Sequence, residues 1–258
     1  MGREEKSIHS KSVEIKHIYK TYDLGGQKLN VLEDVNLSIK PGEFISIVGQ
    51  SGCGKSTLLR QISGLELPTK GEVCLGDKKV TRPSLECGMI FQEARLFPWL
   101  NVEKNVRFGL SKNREQGEQD LVAQNIDLVG LKGFEKALPM QLSGGMQQRC
   151  SIARALVNSP SVLLLDEPFG ALDAFTKINM QKEILRIWES EHTTMIQVTH
   201  DIDEAVYLSD RIVVMGKNPG TIREIIEVDL PRERDRTSAD FIRVRKKVFD
   251  GIFYTEEA

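Results

Sequence analysis

Apolar and polar positions along the chain follow two periods, and the change from one to the other divides the molecule. Val13 to Tyr19 alternates, with Val13 and Ile15 set against Glu14 and Lys16, and predicts a strand. Gly25-Gly26 marks a turn, and Val31 to Ile39 predicts a second strand interrupted by Glu33-Asp34. Pro41-Gly42 turns the chain into a third apolar run, Phe44-Ile45-Ser46-Ile47-Val48, and a helix-like run follows over Leu58-Leu59-Arg60-Gln61-Ile62. Gly64 suits the C-cap of that helix, and Pro68-Thr69-Lys70-Gly71 predicts a turn. Glu72 to Leu75 and Gly88 to Phe91 predict short strands.

From Leu96 to Pro160 the period becomes helical, as an insertion between two strand-rich halves of a core would be. Asn101 starts one helix carrying Val102, Val106 and Leu110. Leu121 to Leu131 predicts an amphipathic one through Leu121, Val122, Ile126 and Val129. The charged stretch between them, Ser111 to Asp120, predicts a solvated loop or helix end. Ser143 caps a third helix with Met146, Ala153, Leu156 and Val157 on one face. Ser161 to Leu165 is then continuously apolar, the mark of a central parallel strand buried on both faces. A helix from the Ala171-Leu172-Asp173 connection through Glu191, a strand over Thr194 to Thr199, and a helix over Ile202 to Leu208 capped by Asp201 follow. Strands over Arg211 to Met215 and Thr221 to Val228 complete the pattern. Beyond Pro231, Phe241, Ile242, Val244, Val248, Phe249, Ile252 and Phe253 predict a partly amphipathic terminal helix. The pattern divides the chain into one unit over 13–230, with a helical insertion over about 96–160, and a helical tail over 231–258.

Composition narrows the class. The chain has 258 residues, 40% hydrophobic and 28% charged, the make-up of an ordinary globular domain. Lys plus Arg is 35 and Asp plus Glu is 37, a net charge of −2 that argues against bulk nucleic-acid binding by phosphate neutralisation. Cys53, Cys74, Cys87 and Cys150 show no C-x-x-C spacing, so neither a disulfide framework nor a zinc site is predicted and a reducing compartment fits. Met1 to Ser12 is polar, without a signal-peptide core, and no apolar run approaches the roughly 20 residues that span a bilayer. The basic segment Arg232 to Lys247 reads as a solvated helix packed on the core, with a membrane-surface patch as its alternative.

The first chemistry appears in Gly49-Gln50-Ser51-Gly52-Cys53-Gly54-Lys55-Ser56-Thr57, between the third strand and the helix after it. This is G-x-x-x-x-G-K-[ST], a phosphate-binding P-loop. Its glycines let several backbone N–H groups converge on phosphate oxygens, and the following helix adds its positive end. Lys55 supplies a charge for the β- and γ-phosphates, and the Ser56 hydroxyl a position on Mg²⁺.

Three further polar positions end predicted strands, where open α/β sheets place ligands. The apolar run to Leu165 ends in Asp166-Glu167, two acids whose burial calls for a cation. Asp166 suits Mg²⁺, and Glu167 is left to orient or activate a water. Gln92 follows Phe91 at such an end, where a plain loop glutamine is the default reading. His200 follows Thr199; a lone histidine is more often structural than catalytic, but its place at a strand end allows contact with a γ-phosphate. Ser143-Gly144-Gly145 reads as an ordinary helix cap or a second anion site, and Tyr22 as a base-stacking or a packing aromatic.

Together these motifs resemble the ATP-binding subunit of an ABC transporter, over nearly the whole chain from Val13. Gly49 to Thr57 matches the Walker A motif, Val162 to Glu167 the Walker B, and Gln92 the Q-loop. Leu142 to Met146 matches the signature, Ala171 to Asp173 the D-loop, and His200 the switch histidine. The resemblance implies an α/β fold: a P-loop NTPase core with a mixed sheet, an N-terminal antiparallel β subdomain and an inserted α-helical subdomain. It implies catalytic roles for Glu167, His200, Lys55 and Gln92, and nucleotide contacts from Tyr22 and from Gly49, Gln50, Ser51, Gly52, Cys53, Gly54, Lys55, Ser56 and Thr57. Ser143, Gly144 and Gly145 would reach the nucleotide across a dimer, and Ser56, Gln92 and Asp166 would serve Mg²⁺ bound with ATP. The implied partners are a second copy paired head to tail, transmembrane permease subunits and, indirectly, an extracytoplasmic solute-binding protein, with no nucleic acid. The implied place is the cytoplasmic face of the membrane, peripheral, through the permease. Met146 departs from the consensus signature, which ends in Gln, while Ser143 and the two glycines keep the phosphate contact.

Phe91-Gln92-Glu93, Leu96-Phe97-Pro98-Trp99-Leu100, Lys217 to Ile222 and Asp229-Leu230-Pro231-Arg232 look like the nitrate, sulfonate and taurine importers within this family. An exporter ATPase is the alternative, or a non-transport ABC ATPase. A DNA-repair or chromosome-structure ATPase needs heptad-rich coiled coils between its Walker motifs, and Thr57 to Val162 is too short and irregular for them.

Overall fold

The structure, a computed structural model, describes residues 10–110, 117–170 and 172–254. Ala171, most of the Ser111–Asp120 stretch and both chain ends therefore lie outside the described residues. Strands β1 (Val13–Leu24) and β2 (Gln27–Ile39) form an antiparallel hairpin whose last pair, Leu24 with Gln27, closes on the predicted Gly25-Gly26 turn. β3 (Phe44–Gly49), buried at all its positions, leads through the glycine loop into α1 (Lys55–Ile62). β4 (Lys70–Leu75) and β5 (Lys78–Lys79) then join the hairpin as a four-stranded antiparallel sheet of order β2-β1-β4-β5.

β6 (Cys87–Ile90) is followed by the helices α2 (Val102–Arg107), α3 (Glu118–Leu128) and α4 (Gly144–Leu156), with a short 3-10 turn at Pro139–Gln141. β7 (Val162–Asp166), α5 (Ala174–Glu191), β8 (Thr194–Val198), α6 (Ile202–Leu208), β9 (Arg211–Met215), β10 (Ile222–Glu227) and α7 (Ala239–Phe253) complete the chain. The second sheet runs β10-β9-β3-β8-β7-β6, parallel except for β10, which closes the edge antiparallel to β9. The sheet is therefore mixed and, with the antiparallel sheet and the inserted helices, gives the expected α/β fold.

Alternate residues of the central strands feed two apolar clusters. Phe44, Val48, Leu163, Leu165 and Met195 face the helices of the insertion and α5 to α7. Ile45, Ile47, Leu164 and Ile196 face α1 and the antiparallel sheet. This two-sided burial explains why β7 reads as continuously apolar. The residues at the carboxyl ends of these strands are thereby held on a rigid base.

One expectation fails. Pro68 to Gly71 does not form a turn, because β4 already begins at Lys70. Gly71 lies where β1 bulges between Lys16 and Tyr19, at His17. A Cβ on Gly71 would lie 2.1 Å from the His17 carbonyl oxygen, and its φ is +86°. The glycine marks close approach of two backbones rather than a chain reversal. Gly71→Ala should therefore cost about 2 kcal/mol or more. Urea unfolding would show this as a lower midpoint at unchanged slope, and a wild-type midpoint would refute it.

The basic stretch after Pro231 is largely structural at its start. Arg232 donates to the Leu208 carbonyl and to Asp210, and its guanidinium stacks 4.5 Å from the Trp188 ring. Trp188 itself donates its indole N–H to Gly42 O at 3.0 Å and lies 6.2 Å from Phe44, at the amino ends of the parallel strands. α7 packs inward through Phe241, Val248 and Ile252. No helix among the described residues is long and apolar enough to cross a membrane.

Candidate active site

Gly54 is the N-cap of α1 with φ +94°, and a Cβ there would stand 2.6 Å from Leu32 Cδ2. Only glycine lets the loop turn into the helix while β2 presses against it. The first turn of α1 carries no acidic side chain, so its free N–H groups keep their attraction for anions. The Lys55 ammonium lies inside the loop, donating to Gly49 O at 2.8 Å and Gln50 O at 3.0 Å, with Cys53 Sγ at 3.7 Å. Lys55 is 7% exposed, so its charge is concentrated at the loop's centre rather than dispersed in solvent.

β7 brings Asp166 to the same place, where Ser56 Oγ donates to Asp166 Oδ1 at 3.0 Å. Burial pushes the Asp166 carboxyl above its ordinary value, and the Ser56 hydrogen bond opposes the shift. Glu167 stands next in a left-handed backbone conformation, φ 47°, and its N–H donates to Val198 O at 2.9 Å. Such a conformation in a residue with a Cβ costs energy and is typical of functional positions. It directs the Glu167 carboxylate toward the second residue after β8, with Oε2 3.2 Å from His200 Nδ1.

A cleft of about 410 Å³ joins these groups, lined by Ser51, Gly52, Gly54, Lys55, Ser56, Thr57, Glu167 and His200. Val31 of β2 also lines it, a contact that sequence reasoning missed. An apolar position in an ordinary strand gives no sign of facing a ligand. Its carbonyl accepts from Gly220 N at 2.9 Å, which ties that wall to the loop before β10.

The other predicted residues lie around this centre. Cys53 is fully buried beneath the loop, and Gln50 Nε2 donates to the Ile252 carbonyl of α7 at 3.5 Å. Gln92, just beyond β6, has its Nε2 3.2 Å from the point where a Cβ on Gly170 would stand, beside the turn after Glu167. Tyr22 lies outside the cleft lining, with the Lys20 ammonium 5.0 Å from its ring. Burial, then the neighbouring Glu66, raises its phenol above the ordinary value, while Thr57 opposes the shift.

Ser143, Gly144 and Gly145 are not brought into the cleft. Ser143 caps α4, accepting the Met146 N–H at 3.3 Å, and Ser143 and Gly144 are exposed. A Cβ on Gly145 would meet Thr176 Cγ2 at 2.6 Å, so the glycine lets α4 begin against the start of α5. Met146 packs partly buried against the larger apolar cluster, away from the exposed cap.

A glycine loop around a lysine ammonium, a half-buried carboxylate beside a hydroxyl, and a carboxylate–imidazole pair thus converge from β3, α1, β7 and β8. Comparison with known proteins agrees with that chemistry. The family model described as ABC transporter matches residues 32–170. An aliphatic sulfonates import ATP-binding protein of Bacillus cereus is 50% identical over 92% of this chain and 94% of that protein. An uncharacterized ABC transporter ATP-binding protein of Methanocaldococcus jannaschii is 48% identical over 92% of this chain and 90% of that protein. Among solved structures, a dimeric ATP-binding cassette in a post-hydrolysis state, bound to ADP and Pi, superposes with a TM-score of 0.75. It is 33% identical and spans 85% of this chain and all of that one. With matches of this extent and a cleft of this composition, the chain belongs to the ABC transporter family, as one of its ATP-hydrolysing subunits.

Proposed function

We propose that this subunit drives an importer for aliphatic sulfonates or a similar small solute such as taurine or nitrate. The relatives named for sulfonate import and the Leu96 to Leu100 and Asp229 to Arg232 segments support that choice. In this reading Gly49 to Thr57 wraps the phosphates, Lys55 neutralises them, and Tyr22 stacks on the adenine. Glu167 orients the attacking water and accepts its proton on the carboxylate. His200, with Nδ1 toward Glu167 Oε2, presents its other ring nitrogen to the γ-phosphate.

The donor set suits Mg²⁺. Asp166 and Ser56 offer adjacent hard oxygens, and a half-buried carboxylate there is relieved by a cation. Bound there, Mg²⁺ would neutralise the β- and γ-phosphate oxygens, with Gln92 close by.

The observation that supports the reading is the separation of the cleft from the Ser143-Gly144-Gly145 cap, whose first two residues are exposed. A second copy, paired head to tail, supplies that cap and completes each site. The permease docks on the insertion, where Phe97, Trp99 and Phe108 form an aromatic group with Trp99 72% exposed. The subunit is thereby held peripherally at the cytoplasmic face of the membrane. ATP turnover by the purified chain should rise more than linearly with its concentration, because a site shared between two copies forms in proportion to the dimer. Steady-state rates over a dilution series below saturation of the dimer check this, and strict linearity would refute the shared site.

A further inference from the structure

The residues on either side of His200 are fastened by a charged cluster to which the reaction chemistry assigns no role. Glu204, in the first turn of α6, is 3% exposed. One of its oxygens accepts the Thr199 hydroxyl at 2.6 Å and the Gln197 amide at 3.1 Å. Its other oxygen meets the Lys177 ammonium at 2.5 Å. The same ammonium donates to Asp201 Oδ2 at 2.7 Å. Asp201 Oδ1 in turn accepts the Glu204 N–H at 3.1 Å, and the Asp201 N–H donates to Thr199 Oγ1 at 3.0 Å.

Thr199 and Asp201 are therefore locked to each other, to Glu204 and to Lys177, while the His200 side chain between them is 66% exposed. Burial would lower the Lys177 pKa, but the Asp201 and Glu204 carboxylates outweigh it and hold the ammonium above its ordinary value. Lys177 comes from α5, where its N–H donates to the carbonyl of the N-cap Asp173 at 2.9 Å. It thus ties the segment around His200 to the start of the helix that follows the catalytic turn.

We propose that Lys177 is a positioning residue for ATP hydrolysis: it clamps Asp201 and Glu204 and so keeps the His200 imidazole within reach of Glu167. The proposal rests on the reading of His200 as the group that meets the γ-phosphate. Without the clamp, the 199–201 segment keeps its place in the chain but loses the cross-link that fixes the imidazole's approach. Binding of ATP, which depends on the glycine loop and Lys55, is left intact. The loss then falls on kcat and not on KM.

Steady-state ATPase kinetics of the full chain test this with Lys177→Met, Lys177→Arg, His200→Ala and the Lys177→Met/His200→Ala double variant. Lys177→Met should lower kcat about tenfold or more with KM changed less than about twofold, and Lys177→Arg should recover most of the rate. In the His200→Ala background, adding Lys177→Met should slow turnover by less than about twofold, because both changes remove one function. Losses that multiply in the double variant would overturn the proposal, since Lys177 would then act by another route. A slow His200→Ala beside a normal Lys177→Met would overturn the proposal alone. An unaffected His200→Ala would overturn the reading of His200 and the proposal with it. Because Lys177→Met leaves two buried carboxylates without their cation, Lys177→Met/Glu204→Gln provides a version of the cluster with less unpaired charge. It should fold and show the same fall in kcat, and wild-type kcat in that variant would also overturn the proposal.

Discussion

Glu167→Gln should lower ATP turnover by about 10² to 10³-fold while leaving nucleotide affinity close to that of the unaltered chain. Glutamine keeps the shape of the side chain and a hydrogen-bonding atom for the His200 ring, 3.2 Å from Glu167 Oε2. It loses the capacity to take a proton from water. The backbone at this position is fixed by the bond from its N–H to Val198 O and by its left-handed conformation, neither of which involves the carboxylate. The groups proposed to hold phosphate, Lys55 and the loop N–H donors, are untouched. ATP should therefore bind, draw two copies together, and remain uncleaved. Size-exclusion chromatography with ATP should show a persistent dimer, and single-turnover assays the missing chemical step. Unchanged hydrolysis would remove Glu167 from its proposed role.

The second large effect concerns stability. Arg234→Ala should destabilise the fold by about 3 kcal/mol, a drop in Tm of roughly 6 to 12 °C for a domain of this size. Arg234 is 7% exposed and donates to the carbonyls of Val206, Tyr207, Ser209, Val228 and Leu230. The first two end α6, where a helix leaves carbonyls without intrahelical partners and where its dipole favours a cation. Burial, and then the neighbouring Arg232, pushes the guanidinium pKa down to about 10, so the group remains charged at neutral pH. Alanine would leave several buried acceptors without their donor at once. Calorimetry would reveal the shift, and a Tm within about 2 °C of the unaltered chain would show that water replaces the guanidinium without loss.

The main pieces of the proposed site are legible in the sequence because each sits at the end of an element with a sharp pattern. The P-loop spacing, the apolar run before Asp166-Glu167 and the strand before His200 each placed a polar residue at a carboxyl end. The resemblance then supplied roles that position alone left open for Gln92, Ser143 and Tyr22. What escaped notice depends on partners distant in sequence. Lys177 and Glu204 look like solvated charges on amphipathic helices, yet they meet below the surface at 2.5 Å. Arg234 belongs to a charged stretch that reads as exposed, although its partners are main-chain carbonyls, which no side-chain pattern announces. Gly71 carries the composition of a turn, and its true reason, a bulge in another strand, is visible only in the pairing of β1 with β4.

The chain's two tryptophans occupy opposite environments. Trp188 is wedged between Phe44 and the Arg232 guanidinium at the end of the sheet remote from the cleft, with its indole N–H held by Gly42. Trp99 stands 72% exposed on the insertion. Intrinsic fluorescence therefore carries two separable signals from one unlabelled molecule. A Trp99→Phe variant retains an emission that follows unfolding of the core, while the difference from the unaltered chain reports what touches the insertion. Assembly with a membrane partner becomes observable as a spectral change that need not involve nucleotide at all.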